Sequence, residues 1–329
     1  MQRQQTSGWN PATSVSEQAP GFYFVEGPAS NWIVVRDETG FFLIDSGYPE
    51  DRRHVLASLR SLGLDPADAK AMLITHGHVD HTGSAAFFSE SFGTPVLCAP
   101  EERAHVQGKE KHQVTLGQVI SRAWRPLVFR WMVHVIKAGA LGAKPASRAE
   151  AWDTAKLQAL PCGPVAIPLP GHTPGNAAIH FPEAGVLAVG DSFVSGHPIS
   201  RTAGPQLLHP MYHQDPAAAR AALRTLDGVE ARVILPGHGP ALHGPLATAL
   251  AALGSSGHPG TIGRLVPCGL PGRARTFRSA PAPWNTRRNR SARRRWRRAG
   301  RLRTAATRGS SARRPGRRIS KGLPLLPPR

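Results

Sequence analysis

The sequence predicts an α/β fold, and three observations carry that expectation. Short β-rich runs alternate with helical stretches along residues 20–255. Several of those runs end in histidine or aspartate, at positions far apart in the chain. The charge is also divided. The formal net charge is +20, yet residues 256–329 hold 20 Arg, one Lys and no Asp or Glu, which leaves 41 − 21 = 20 basic against 21 acidic residues in the first 255. A near-neutral folded domain is therefore expected at 20–255, between a flexible N-terminus at 1–19 and an Arg-rich, low-complexity tail at 256–329.

The elements follow in order. "FYFVEG" (22–27), "NWIVVRDE" (31–38) and "GFFLIDSG" (40–47) are rich in aromatic and β-branched residues and are separated by Gly, Pro, Ser and Asn, which predicts antiparallel strands, the third ending in Asp45. "YPEDRRHVLASLRSLGL" places Val55, Leu56, Leu59 and Leu62 near helical spacing and stops at Gly63. "AKAMLITH" returns to a buried strand and delivers "THGHVDH", residues 75–81. "TGSAAFFSESFG" predicts a helix opening at Thr82 or Gly83, and "TPVLCAP" another strand.

Residues 101–160 read as a helical lid or insertion. In "SRAWRPLVFRWMVHVIKAGALGAK" the polar Arg125, Arg130, His134 and Lys137 exclude a membrane span, and a packing helix is preferred over one lying in a membrane interface. Beyond it, "GPVAIPLPGHTPGNAAIHFPEAGVLAVGDSFVSG" supplies three strands. "DPAAARAALRTLDG" is a helix with Asp215 as N-cap and Pro216 in its first turn, and "ARVILPGHG" is a last buried strand.

Composition narrows the class. With 40% hydrophobic residues the chain can bury a substantial core. Cys98, Cys162 and Cys268 are odd in number and scattered, so no disulfide framework is expected and a reducing cytoplasm is the simpler setting. The N-terminus lacks the apolar core of a secretory signal, and no run reaches the roughly 18 apolar residues of a membrane span. Two readings of the tail compete. It is a disordered arm for polyanions, with Trp284 and Trp296 available for stacking on nucleic acid, or an unselected, frame-shifted extension.

The ligand-type residues at or after strand ends are Asp45; His76, His78, Asp80 and His81; His172; Asp191; and His238. Neutral imidazole nitrogen and carboxylate oxygen suit zinc, manganese or iron, and no thiolate belongs to the set. His76 and His78 are two apart, so extended backbone puts both side chains on one side, while Asp80 and His81 follow as the chain turns into a helix.

With "LIDSG", "THGHVDH", "PGHTPGN", "GDS" and "LPGHG" in that order across residues 20–245, the sequence resembles the metallo-β-lactamase-fold superfamily. The resemblance implies a four-layered αβ/βα sandwich of two mixed sheets with outer helices. It implies two divalent ions, zinc foremost with manganese or iron possible, the first held by His76, His78 and His172 and the second by Asp80, His81 and His238. Asp191 would bridge them, and Asp45 would orient ligands from outside. The implied reaction is attack of a hydroxide shared by the metals on a small-molecule carbonyl, with Asp80 handling the proton.

The set with a bridging Asp191 resembles the glyoxalase II-like and lactonase-like branch, so an ester, thioester or lactone is expected rather than a β-lactam. Tyr212 in "HPMYHQDP" is a candidate substrate-orienting residue, or a packing residue ahead of Asp215. The alternative expectation is a nuclease or nucleic-acid-binding member that uses the basic tail.

Overall fold

In the computed structural model, which describes residues 9–255, two mixed sheets lie face to face. The first holds seven strands in chain order: β1 (Val15–Ala19), β2 (Phe22–Glu26), β3 (Asn31–Asp37), β4 (Gly40–Ile44), β5 (Ala69–Ile74), β6 (Val96–Cys98) and β7 (Glu150–Ala151). Pairing is antiparallel from β1 to β4 and parallel from β4 to β7. The second sheet runs β12 (Leu242–His243), β11 (Val233–Pro236), β10 (Val186–Gly190), β9 (Ala177–Phe181) and β8 (Val165–Pro168), with only β10 and β11 parallel.

The helices are α1 (Pro11–Ser14), α2 (Arg52–Ser61), α3 (Val79–Thr82), α4 (Ala85–Ser91), α5 (Arg103–Val106), α6 (Leu116–Ile120), α7 (Pro126–Lys137), α8 (Thr154–Gln158), α9 (Pro216–Ala222) and α10 (Leu246–Ser255). The N-cap expected for α9 is present: the Asp215 carboxylate accepts from the Ala217 and Ala218 amides, both at 2.9 Å.

Alternation along the strands builds the layers. Ile33 and Val35 of β3 point into the core between the sheets, where they join Ile179 and Phe181. Trp32 and Val34 point the other way, against Val55 and Leu59 of α2 and Phe88 of α4. In β10, Val186 and Ala188 enter the same central core, while Leu187 and Val189 face Leu246 and Leu253 of α10. Each sheet is thus apolar on both faces and carries a helix layer outside, which gives the expected four layers.

Parallel pairing of β4 with β5, and of β10 with β11, sends four strand C-termini to loops that meet at one edge of the sandwich. Among the described residues no helix is long and apolar enough to cross a membrane.

Two local expectations differ from the structure. Within the stretch read as a flexible N-terminus, residues 11–19 form regular structure: α1 leads into β1, which pairs with β2 across a turn at Pro20 and Gly21, the latter at φ +83°. Half-buried, polar "VSEQA" lacks a hydrophobic alternation because it is an edge strand. The helix expected to open at Thr82 or Gly83 begins at Val79 instead and breaks after Thr82. There the Gly83 amide donates to Gly47 O at 2.9 Å and the Ser84 amide to Ser46 Oγ at 3.1 Å, so both leave the helical ladder. The Arg-rich tail, with Trp284 and Trp296, lies outside the described residues.

Candidate metal centre

Local backbone geometry assembles the site. β5 ends at Ile74 and the chain bends at Thr75 and His76; His78, at φ −66° and ψ 149°, stands at the N-cap of α3, whose first turn then carries Asp80 and His81. His172 stands in the loop between β8 and β9, and Asp191 and His238 follow β10 and β11. All eight residues expected at the site come to this edge, and only Asp80 is not fully buried.

The ring and carboxylate atoms form two groups that share Asp191. In the first, His172 Nε2 stands 3.2 Å from His76 Nε2 and 3.0 Å from His78 Nδ1, with Asp191 Oδ2 at 3.6 Å from His172 and 3.9 Å from His76. In the second, His238 Nε2 lies 3.3 Å from both Asp80 Oδ2 and Asp191 Oδ2; His81 Nε2 lies 3.9 Å from Asp80 and 3.5 Å from Asp191 Oδ1. Ligands about 2.0–2.1 Å from a tetrahedral ion stand about 3.4 Å from one another, so both groups have the spacing of a coordination shell. The trios His76, His78, His172 and Asp80, His81, His238 could each hold an ion.

Outer partners decide which nitrogen of each ring faces inward. His81 Nδ1 donates to Asp45 Oδ2 at 2.8 Å, His78 Nε2 to His112 O at 2.8 Å and His238 Nδ1 to Ala29 O at 2.7 Å. These acceptors carry no proton, so the facing nitrogen must, and the opposite nitrogen turns a lone pair to the centre in the neutral ring. His76 Nδ1 meets Thr75 Oγ1 at 3.1 Å, and His172 Nδ1 meets His213 Nδ1 at 3.2 Å. Asp45 also accepts from the Thr75 amide and hydroxyl, at 2.9 and 2.8 Å. These bonds hold its backbone at φ +60°, a left-handed conformation that costs a non-glycine residue about 1 kcal/mol or more.

Electrostatics separate the two groups. Burial, with mutual repulsion among the rings, holds His76 and His172 well below the usual imidazole range, and burial lowers His78 too, so the first group is neutral. In the second, burial opposes charge on His238, yet Asp191 and Asp80 outweigh it and raise the ring to about 10. Against the same opposing burial, Asp191, Asp45 and Asp80 raise His81 well above its ordinary value. Burial would raise Asp80 and Asp191, but the facing imidazoles hold both below the usual carboxylate range. Protons on His81 and His238 thus stand where a cation would neutralise Asp45, Asp80 and Asp191. His81 Nε2 and Asp191 Oδ1 are buried without a hydrogen-bond partner, as metal-ligand atoms would be.

Several residues that support the site gave no sequence signal. Buried Glu102 accepts from the Gly77 amide (2.7 Å), His105 Nδ1 (2.8 Å), Thr173 Oγ1 (2.7 Å) and the Gly175 amide (2.8 Å), joining the loop of His76 and His78 to the loop of His172. Gly237 has to be glycine: a Cβ there would stand 2.3 Å from Asp191 Oδ1 and 2.7 Å from His81 Cε1. Asn31 Nδ2 ties the His238 loop to β3 through Pro236 O (3.0 Å) and Gly239 O (2.7 Å).

A pocket of about 140 Å³ opens above the ligands. Its floor includes His78, Asp80, His172, Asp191 and His238, its walls are largely apolar residues between 114 and 141, and no Lys or Arg lines it. Tyr212 faces this pocket with its hydroxyl buried and unpartnered, while its ring packs on Trp131 with centroids 5.6 Å apart. Tyr48, which the sequence did not single out, lines the pocket as well. Burial, then the charge of Asp80, raises both phenols, so each remains a hydrogen-bond donor.

Known proteins share this fold. The chain is 26% identical over 235 residues to the probable metallo-hydrolase YflN of Bacillus subtilis, a match that covers 68% of this chain and 81% of that protein. The crystal structure of a metallo-beta-lactamase family protein, TTHA1429 from Thermus thermophilus, superposes with a TM-score of 0.50 at 23% identity, covering 71% of this chain and 79% of that one. MEM-A1, a subclass B3 metallo-beta-lactamase from a soil metagenome library, shares the fold at a TM-score of 0.50 and 18% identity, over 73% and 83% of the two chains. The family profile matches residues 25–238, close to two thirds of the sequence and the whole of the ligand set, and the chain belongs to the metallo-beta-lactamase superfamily.

Proposed function

We propose that the domain spanning 20–255, with its lid at 101–160, is a binuclear metal-dependent hydrolase of a small-molecule ester, thioester or lactone. The observation that carries this reading is the pair of three-residue groups on either side of Asp191. His76, His78 and His172 would take one divalent ion and Asp80, His81 and His238 the other, with zinc the first choice and manganese or iron alternatives. Ions held there would supply a nucleophile from water at neutral pH and polarise a carbonyl oxygen.

The remaining work falls to the chain. We assign proton handling at the reacting centre to Asp80, the one residue of the ligand set that is only partly buried. The Tyr212 hydroxyl has no partner in the protein and supplies a donor for the carbonyl oxygen or the leaving group. Asp45 holds the His81 ring, Glu102 holds the two loops that carry His76, His78 and His172, and the apolar lid excludes water from the pocket.

The apolar lining favours a neutral substrate over a phosphodiester, whose recognition calls for cations that this pocket does not present. Unpaired Cys98 and Cys162 fit a reducing compartment, and we assign the protein to the cytoplasm. The test is metal analysis of the purified chain followed by turnover of lactone, thioester, β-lactam and phosphodiester panels. Hydrolysis of a lactone or thioester that is lost in Asp191→Ala together with metal supports the reading. Turnover of the phosphodiester alone overturns it in favour of a nuclease.

A further inference from the structure

The lid exposes apolar side chains that the pocket uses only in part. Helix α7 buries Val128 and Trp131 against Val194, Leu208 and Tyr212, which accounts for its inner side. Phe129, Val133 and Ile136 repeat at i, i+4 and i+7 on its other side; Phe129 and Ile136 are exposed and Val133 is half-buried. Exposed apolar side chains also stand on α6 (Leu116 and Ile120), between the helices (Trp124) and after α7 (Leu141), with Trp124 76% and Leu141 71% exposed. Six of the seven exposed large apolar side chains among the described residues fall between Leu116 and Leu141. A packing helix accounts for one apolar face, and this helix has two.

Charge points to what would cover the second. From Lys111 to Ala149 there is no Asp or Glu. Arg122, Arg125, Arg130 and Lys137 lie on α7 or just before it, and none forms an ion pair among the described residues. The Arg125 guanidinium stacks over the Trp124 ring at 5.1 Å, joining a cation to the most exposed aromatic side chain of the patch. Apolar side chains flanked by unpaired cations, with an exposed Trp, match the boundary between acyl chains and anionic headgroups. Leu116, Ile136 and Leu141 belong both to this patch and to the pocket wall, so an apolar path runs from the surface to the metal ligands.

We propose that the outer face of the lid docks on an anionic lipid bilayer, so that the pocket is loaded from the membrane surface. Residues 256–329 carry +21 and would also attract anionic vesicles, so the test must separate the two. The full-length chain is sedimented with vesicles of phosphatidylcholine and phosphatidylglycerol at low salt and at about 0.5 M NaCl, where the screening length falls to about 4 Å and attraction through charge alone is suppressed. Wild type is expected to stay bound at high salt. Ile120→Ser/Trp124→Ser/Phe129→Ser is expected to lose about tenfold or more in vesicle affinity there. Brominated acyl chains should quench wild-type tryptophan emission, and quench Trp124→Phe less.

The three substituted side chains lie outside the pocket lining, so metal content should not change. Equal binding by wild type and the triple variant would overturn the proposal, as would release of both at high salt. Self-association through this face without vesicle binding would overturn it in favour of a second copy of the chain. The assay reads binding and not turnover, so its failure leaves the hydrolase reading intact.

Discussion

Glu102→Gln removes one charge and no volume, and the structure sets the size of its effect. Four donors converge on the carboxylate, two on each oxygen: the Gly77 amide and His105 on Oε1, Thr173 and the Gly175 amide on Oε2. A glutamine amide must put its NH2 group at one of those positions. The Thr173 hydroxyl can rotate and His105 can change tautomer, but a backbone amide cannot adapt, so either choice leaves a buried N–H facing another donor. An orphaned donor costs about 1–3 kcal/mol. Loss of the charge weakens the remaining bonds by roughly another 1 kcal/mol. The expected destabilisation is about 2–4 kcal/mol, or roughly 5–12 °C in Tm for a domain of this size. Burial opposes ionisation of Glu102, yet the hydrogen bonds from His105, Thr173 and Gly77 hold its carboxyl below the ordinary value of 4.5. Its contribution is therefore complete above that value and is lost as pH falls through the lower folded one, a slope the Gln variant should lack. Urea unfolding of the EDTA-treated protein measures both quantities without the metal's own stabilisation. A change below about 0.5 kcal/mol would refute the argument that Glu102 joins the two ligand loops.

Three further outcomes follow from single contacts. Gly237→Ala places a methyl group against Asp191 and His81, and should abolish metal retention in a protein that still folds by circular dichroism; normal metal content would contradict the close approach. Tyr212→Phe removes a hydroxyl with no protein partner, so stability should hold within about 1 kcal/mol while kcat falls about 10–100-fold; an unchanged kcat would leave Tyr212 a packing residue. Burial and then the charge of Glu102 push the Cys98 thiol from 9.0 to about 12, so at pH 8 its thiolate fraction should drop about 1,000-fold and Ellman's reagent should reach it only on unfolding. Because the shift disfavours the thiolate in the fold, it leaves stability unchanged below pH 9 and lowers it as pH rises from 9 towards 12; rapid labelling of the native chain at pH 8 would count against it.

The candidate ligand residues stand out in the sequence because their chemistry is concentrated. "THGHVDH" puts four polar groups at a strand end, and "PGHTPGN", "GDS" and "LPGHG" mark turns that begin where apolar runs stop. Short, nearly continuous apolar runs bounded by turn residues likewise identified the central strands, since β3 and β10 face a core on each side. Glu102 was not legible, because "PEERAHV" reads as a solvated surface turn and only the fold carries it under two loops from distant parts of the chain. Asn31 and Tyr48 stayed hidden for a related reason: a single polar residue beside a strand signals its partners only once the sheets are paired. Strand β1 escaped because an edge strand buries too little to need an apolar pattern. Helices α5 to α8 lie within 101–160, but one apolar face cannot be told from two in the sequence until the core beneath is known.

The central claim is that Asp191 stands between two ions rather than beside one. Inductively coupled plasma mass spectrometry on the stripped and zinc-reloaded chain, run beside native mass spectrometry to fix the stoichiometry per molecule, tests it most directly. Two ions per wild-type chain are predicted, with one retained in His238→Ala, whose first trio is intact, and one in His172→Ala, whose second trio is intact. A single ion in the wild type, lost completely on replacing either histidine, would contradict the two-ion centre.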